Sequence, residues 1–124
     1  MNVWSFFGKT KKQIGDEGEN AVVKYLKKKK YKILLTKYRT PYGEADVVAE
    51  KGDNLVFVEV KTRSSEAFGT PAEAVGRKKQ ERYINIAEYF LSRNPRYDSF
   101  FVRFDVAEVL GEEINYIENA FDCN

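Results

Sequence analysis

The chain contains no histidine, and that absence removes the commonest side-chain chemistry at neutral pH. A Ser-His-Asp triad, a Cys-His pair, a His-ligated zinc and an imidazole general base are all excluded. The single cysteine, Cys123, cannot form an intrachain disulfide. One thiol also cannot build a cysteine-based zinc site or an iron–sulfur cluster. Such sparse cysteine fits a reducing, cytoplasmic setting. No run of about 18 apolar residues exists, which excludes a helical membrane span. The opening stretch Met1 to Phe7 is apolar, but Gly8 and Lys9 end it before a signal-peptide core can form. Internal repeats, low-complexity segments and linkers are missing as well.

What remains is an ordinary globular composition. The 124 residues, 43% hydrophobic and 32% charged, read as one domain over 1–124 with one core, bulky because 15% of the residues are aromatic. The formal net charge of +2 conceals an asymmetry. Residues 1–40 hold 11 basic and 3 acidic side chains, residues 41–124 hold 10 and 16, and from Phe104 onward there are six acids and no base. A basic arm of this kind is the electrostatic footprint of a polyanion partner. Its run Lys27 to Lys30 has two readings, phosphate contact or the lysine-rich end of a helix, where cations complement the dipole.

Apolar periodicity places a helix over 9–29, with Ile14, Gly18, Ala21, Val22, Tyr25 and Leu26 on one stripe. Gly15 and Gly18 lie inside it and each costs about 1 kcal/mol against alanine, which calls for a packing or close-approach reason. Strands are expected over 31–38, 44–50 and 55–62, the last two joined by the hairpin signal Lys51-Gly52-Asp53-Asn54. Pro71 is expected to open a second helix over 71–92, stopped by Asn94-Pro95. A fourth strand follows over 99–107, and 113–118 offers a fifth. The order αβββαβ, with or without that last strand, implies an α/β fold whose central mixed sheet is flanked by helices.

The hairpin carries the chemistry. With its turn centred between Gly52 and Asp53, Asp46 opposes Glu59 and Glu44 opposes Lys61, all on one face. Carboxylates with Cβ atoms about 5 Å apart repel by about 3 kcal/mol at an effective dielectric near 20. That arrangement calls for a cation. Lys61 is one, and a divalent oxygen-loving ion such as Mg²⁺ is a better match. The alternative is a surface Asp-Lys-Glu cluster that pairs with itself. Glu19, at the edge of the first helix's apolar stripe, either looks along the sheet as a third acid or faces water. Lys78 and Arg82, four residues apart on the second helix, either meet phosphates or line an exposed side. Val3, Trp4, Phe6 and Phe7 suit a homodimer contact or a tucked core segment.

The array Gly15-Asp16-Glu17-Gly18-Glu19, then Gly43-Glu44-Ala45-Asp46, then Phe57-Val58-Glu59-Val60-Lys61-Thr62-Arg63 resembles the PD-(D/E)xK nuclease superfamily. More narrowly it resembles the YraN family of small predicted endonucleases, relatives of archaeal Holliday-junction resolvases. The resemblance runs almost the full chain, through Phe68-Gly69, Ala74-Val75, Lys78, Arg103-Phe104-Asp105-Val106 and Asn119-Ala120-Phe121. It implies a restriction-endonuclease-like fold and a Mg²⁺- or Mn²⁺-dependent endonuclease acting on DNA, cytoplasmic, with a homodimer as the arrangement its relatives suggest. Asp46 and Glu59 match the two signature acids that bind the metal, with the Val60 carbonyl as a further ligand. Lys61 matches the signature lysine, which orients the attacking water and stabilises charge on the phosphate. Glu19 matches the helix acid that completes the site, directly or through a water. Lys27, Lys28, Lys29, Lys30, Arg63, Lys78 and Arg82 are the expected nucleic-acid contacts. Two positions depart from the pattern. Glu44 replaces the proline two residues before the first acid, and Asn20 replaces the basic residue that archaeal resolvases often carry beside the helix acid. The chain is too short for an added recognition domain, so structure-selective cutting is expected over base readout. The same fold with a vestigial site, serving as a nucleic-acid-binding or partner-docking module, is the rival reading.

Overall fold

Three segments of the chain can only live at the centre of a sheet. Val47-Val48-Ala49, Leu55-Val56-Phe57-Val58 and Phe104 to Val109 are buried in unbroken runs instead of alternating. A strand buried on both faces needs cover on both faces. The computed structural model, which describes residues 8–63 and 75–121, provides it. The elements are α1 (Lys11–Lys28), β1 (Lys32–Thr40), β2 (Gly43–Lys51), β3 (Asn54–Thr62), α2 (Arg77–Arg93), a 3-10 turn (Pro95–Tyr97), β4 (Phe101–Leu110) and β5 (Glu113–Phe121). They form one mixed sheet in the order β1-β2-β3-β4-β5. Only β3 and β4 are parallel, and α2 lies in the connection between them. This is the expected restriction-endonuclease-like αβββαβ core with a fifth strand added. No helix among the described residues is long and apolar enough to cross a membrane.

Each face of the sheet has its own core. Val22 and Leu26 of α1 pack on Val47, Ala49, Val56, Val58, Ala107 and Val109. Tyr83, Ile86, Ala87 and Phe90 of α2 pack on Ala45, Val48, Leu55, Phe57, Phe104 and Val106. The helix starts have different chemistry. Thr10 caps α1 through a reciprocal box with Gln13, the Gln13 amide donating to Thr10 Oγ1 at 3.1 Å and the Thr10 amide to Gln13 Oε1 at 2.8 Å. Gly76 precedes α2 in an extended conformation without a side-chain cap. The second helix therefore begins at Arg77, later than the expected 71, with the extended Gly76 as its N-cap. Pro71 itself lies outside the described residues, as do Val3, Trp4, Phe6, Phe7, Phe68, Gly69, Ala74 and Cys123.

The β2–β3 hairpin has the expected register from Lys51↔Asn54 to Val47↔Val58 and then stops. It does not continue to the pairings expected of Asp46 with Glu59 and of Glu44 with Lys61. β4 runs to Leu110, longer than expected, because it pairs residue for residue with the whole of β3. Its two buried acids are satisfied locally. Asp105 accepts from Arg103, from the Tyr116 hydroxyl at 2.6 Å and from the Asn119 amide at 2.9 Å. Glu108 accepts from Arg63 at 2.8 Å and Asn115 at 3.1 Å. These contacts tie β5 and the end of β3 to the middle of the sheet.

Gly18 shows why α1 sits where it does. A Cβ there would collide with Thr62 Oγ1, so only glycine lets the helix approach the end of β3. Gly18→Val should destabilise the fold by about 2 kcal/mol in chemical denaturation. Gly18→Ala made in a Thr62→Ala chain, where the obstruction is gone, should instead gain close to 1 kcal/mol from helix propensity.

Candidate functional site

At the point where the β2–β3 ladder stops, a side chain replaces the backbone. The Val60 amide donates to Asp46 Oδ2 at 2.8 Å, so Asp46 fills the gap between two strands that separate beyond Val47 and Val58. The separation lets the two acids meet from opposite sides of the sheet. Asp46 lines a pocket of about 540 Å³ on the α1 side, with Lys11, Lys12, Asp16, Glu19, Lys37, Glu44, Val60 and Thr62 among its walls. Glu59 is held from the α2 side. The Tyr83 hydroxyl donates to Glu59 Oε1 at 2.9 Å, and Lys79 forms an ion pair with Oε2.

Electrostatics divide the acid pair. Burial, then the hydrogen bond shared with the neighbouring Glu59, pushes Asp46 up to about 7. Burial raises Glu59 too, but the hydrogen bonds from Lys79, Asp46 and Tyr83 outweigh it and hold Glu59 below the usual carboxylate range. As pH falls through about 7 the pair takes up its first proton, with Asp46 the acid whose environment favours it and Glu59 the one held charged. Tyr83 is pushed well above 10 by its burial and by the Glu59 charge, and it stays a donor.

Glu19 lies at the edge of the helix stripe, as expected, and only 7% of it is exposed. It shares the pocket with Asp46, but its partner is Lys37 at 3.2 Å. Lys37 also meets Asp16 at 2.8 Å. To do so it takes a positive φ of 49° in the middle of β1, at the position facing Asp46 between the Thr36↔Val47 and Tyr38↔Ala45 pairs. A non-glycine residue in that region stores backbone strain, which the surrounding contacts hold in place. Lys61 shares the α2-facing side of β3 with Glu59 and is half-buried; no ion pair among the described residues engages it.

The expected nucleic-acid contacts are dispersed. Lys78 is exposed, one position away from the lysine that reaches the acids. Arg82 is exposed and lies against Gly43, at the rim of the Glu44–Asp46 segment. Arg63 is engaged by the buried Glu108. Lys27 to Lys30 sit at the far end of α1, where Lys29 covers Tyr25 and Lys51 covers Tyr31. The helical rise puts that run roughly 12 Å beyond Glu19.

Sequence reasoning missed Lys79, Tyr83, Lys37 and Asp16. Tyr83 carried one usable signal, since a buried tyrosine hydroxyl needs a partner, and Lys79 is one helical turn before it. Lys37 carried none.

No three acids gather into one metal-holding group among the described residues. The donor set fits Mg²⁺ or Mn²⁺ in a simpler way. Mg²⁺ keeps several waters and needs only one or two carboxylates. Asp46 and Glu59 supply those two, with the Val60 carbonyl beside them. An ion bound there would take the place of the proton and the Lys79 ammonium that balance the pair.

The model of the uncharacterised protein family UPF0102 matches residues 18–109, which contain all four expected catalytic residues. Among curated relatives, UPF0102 proteins of Alkaliphilus oremlandii and Alkaliphilus metalliredigens are 51% and 47% identical to this chain. In both comparisons 89% of this chain and 98% of the relative are covered. A UPF0102 protein of Clostridioides difficile is 45% identical, with 89% and 97% covered.

The raised Asp46 has a thermodynamic signature. An acid whose pKa rises on folding binds more protons folded than unfolded, so it costs stability as pH climbs from about 4 to about 7. Asp46→Asn removes that cost. Its stability advantage over wild type should grow across this window at up to about 1.4 kcal/mol per pH unit and then level off. Urea titrations at pH 4, 5.5, 7 and 8 measure it, and a gap that does not change with pH would contradict the assignment.

Proposed function

We propose, starting from the fact that the chain belongs to the family UPF0102, that it is a Mg²⁺- or Mn²⁺-dependent endonuclease acting on DNA in the cytoplasm. The observation that carries this reading is the Asp46–Glu59 carboxylate pair at the end of a broken strand ladder, followed on β3 by Lys61. The YraN half of the sequence resemblance is the family itself; the nuclease half belongs to this proposal. When bound, a divalent cation neutralises the phosphate and lowers the pKa of the attacking water. The remaining work falls to the chain. Asp46, once deprotonated, and Glu59 are the carboxylates that would hold the ion. Lys61 aims a donor at the oxygens where negative charge develops. Tyr83 and Lys79 hold Glu59 in its rotamer. Exposed Lys11 and Lys12 on the pocket wall and Arg82 beside Gly43 would meet the phosphate backbone, while Lys37 stays with Asp16 and Glu19. Selection by strand structure over base readout is part of the proposal, since these cations suit the phosphate backbone.

A second reading has its own observation. Lys79 and Lys37 already neutralise Glu59 and Glu19 without a metal, which favours a nucleic-acid-binding or partner-docking module of the same fold.

A cleavage panel separates the two. Single strands, duplex, flaps and four-way junctions are incubated with Mg²⁺ or Mn²⁺, and with Asp46→Asn, Glu59→Gln and Lys61→Ala purified in parallel. The nuclease reading expects cutting by wild type and a loss of at least about 100-fold in each variant, the scale of losing one key transition-state donor. Binding without cutting, together with a Mn²⁺ thermal shift that survives Asp46→Ala, would establish the module. Replacing Lys27 to Lys30 by glutamine should weaken DNA binding and lower the salt slope by about 0.9 for each phosphate that the run neutralises, with turnover at saturation unchanged. An unaltered slope would leave that run as a solvated helix end.

A further inference from the structure

A second concavity lies on the opposite flank of α1 from the acids. Ile14, Gly18, Ala21 and Tyr25 follow one another at helical spacing along its helix wall, and Val109 and Ile114 form the wall from the sheet. It measures about 390 Å³, and its charges are confined to the rim. An apolar groove of this size on a small domain calls for an occupant.

We propose that the occupant is the chain's own N-terminal segment, residues 1–7, with Trp4 as its anchor. Four observations converge on this assignment. Lys9 Nζ meets Glu17 Oε2 at 2.8 Å, and Glu17 is a rim residue of the groove, so the chain leaves α1 on the groove side. Gly8 has a φ of 76°, the left-handed conformation that reverses a chain and that glycine adopts freely. Residues folded back along α1 from this glycine would lie over the groove. Their reach matches the space: seven extended residues span about 23–25 Å, and the helix wall from Ile14 to Lys28 is about 21 Å long. Their chemistry matches too, because Met1, Val3, Trp4, Phe6 and Phe7 are apolar and no side chain in 1–7 is charged. The docked segment clamps the first turns of α1 against β3, β4 and β5. This inference does not depend on the nuclease reading.

Trp4 is the only tryptophan in the chain, so its fluorescence reports on the segment alone. The full-length protein should show blue-shifted emission and acrylamide quenching several-fold slower than free tryptophan amide, both unchanged on dilution. Ala21→Arg, which puts a cation in the groove, should shift the emission to the red and restore fast quenching with the far-UV circular dichroism intact. A labelled chain gives the same answer without filling the groove. In a Cys123→Ser background, a nitroxide on Lys24→Cys at the rim should quench Trp4 strongly. The same label on Glu88→Cys of α2, against the other sheet face, should not. Emission typical of exposed tryptophan in wild type would overturn the proposal. So would equal quenching from both labels, which places the segment elsewhere. Shielding that disappears on dilution together with a dimer mass would assign the groove to a second copy of the chain.

Discussion

One hydrogen bond sets the geometry on which the candidate site depends. Where β2 and β3 would exchange another backbone pair, the Val60 amide donates to the Asp46 carboxylate. A side chain thereby satisfies a buried donor that strand separation would otherwise leave unpaired, and the separation carries no hydrogen-bond penalty. Because the strands part there, an acid from each can approach its neighbour from a different face of the sheet. A continuous ladder would have held both carboxylates on one face, accessible to one helix. The break makes them accessible to two, and α1 and α2 each bring a helix of charged and polar groups to the same opening.

The acids so gathered are balanced by lysines instead of being left to repel. Lys79 from α2 neutralises Glu59, and Lys37 from β1 bridges Asp16 and Glu19. Asp46 is the remaining acid, and its proton is the adjustable part of the balance. Under the proposed function, a divalent ion would take the place of that proton or of the Lys79 ammonium. The strained backbone at Lys37 belongs to the same balance of charge. Its left-handed φ is the conformation that turns a strand lysine toward the helix acids. Elsewhere in the sheet, buried charge is locked: Asp105 and Glu108 have every contact they need from Arg103, Tyr116, Asn119, Arg63 and Asn115 and have no free role in chemistry.

Much of this was legible in the residues. The period-3.6 stripe of α1, the alternation and β-branched runs of the strands and the Gly52-Asp53 turn gave the order of elements and the hairpin register to Val47↔Val58. Glycine at 18 announced a close approach before its partner, Thr62, could be known. Errors fell where a local signal competed with a distant one. Pro71 is a helix opener by propensity, yet Gly76 starts α2. The hairpin pattern extrapolated smoothly to Asp46 and Glu59, because nothing in a linear pattern says that a carboxylate will replace a backbone acceptor. Nor does a linear pattern show that Lys79 reaches Glu59. One residue is a rotation of about 100° on a helix, and only the packing of Tyr83 against the sheet sets which lysine faces Glu59.

The sequence by itself determined the α/β architecture, the absence of histidine chemistry and of an intrachain disulfide, and the placing of Asp46, Glu59 and Lys61 on neighbouring strands of one hairpin. These are consequences of residue type and spacing along one chain, and they survive any arrangement of neighbours. The tertiary structure alone decided which cations answer those acids, that burial beside Glu59 raises Asp46, that Arg63 serves a buried glutamate, and that Lys27 to Lys30 stand at the other end of α1. Each of those depends on distances between segments far apart in sequence and on the water excluded between them, and charge interactions scale with both.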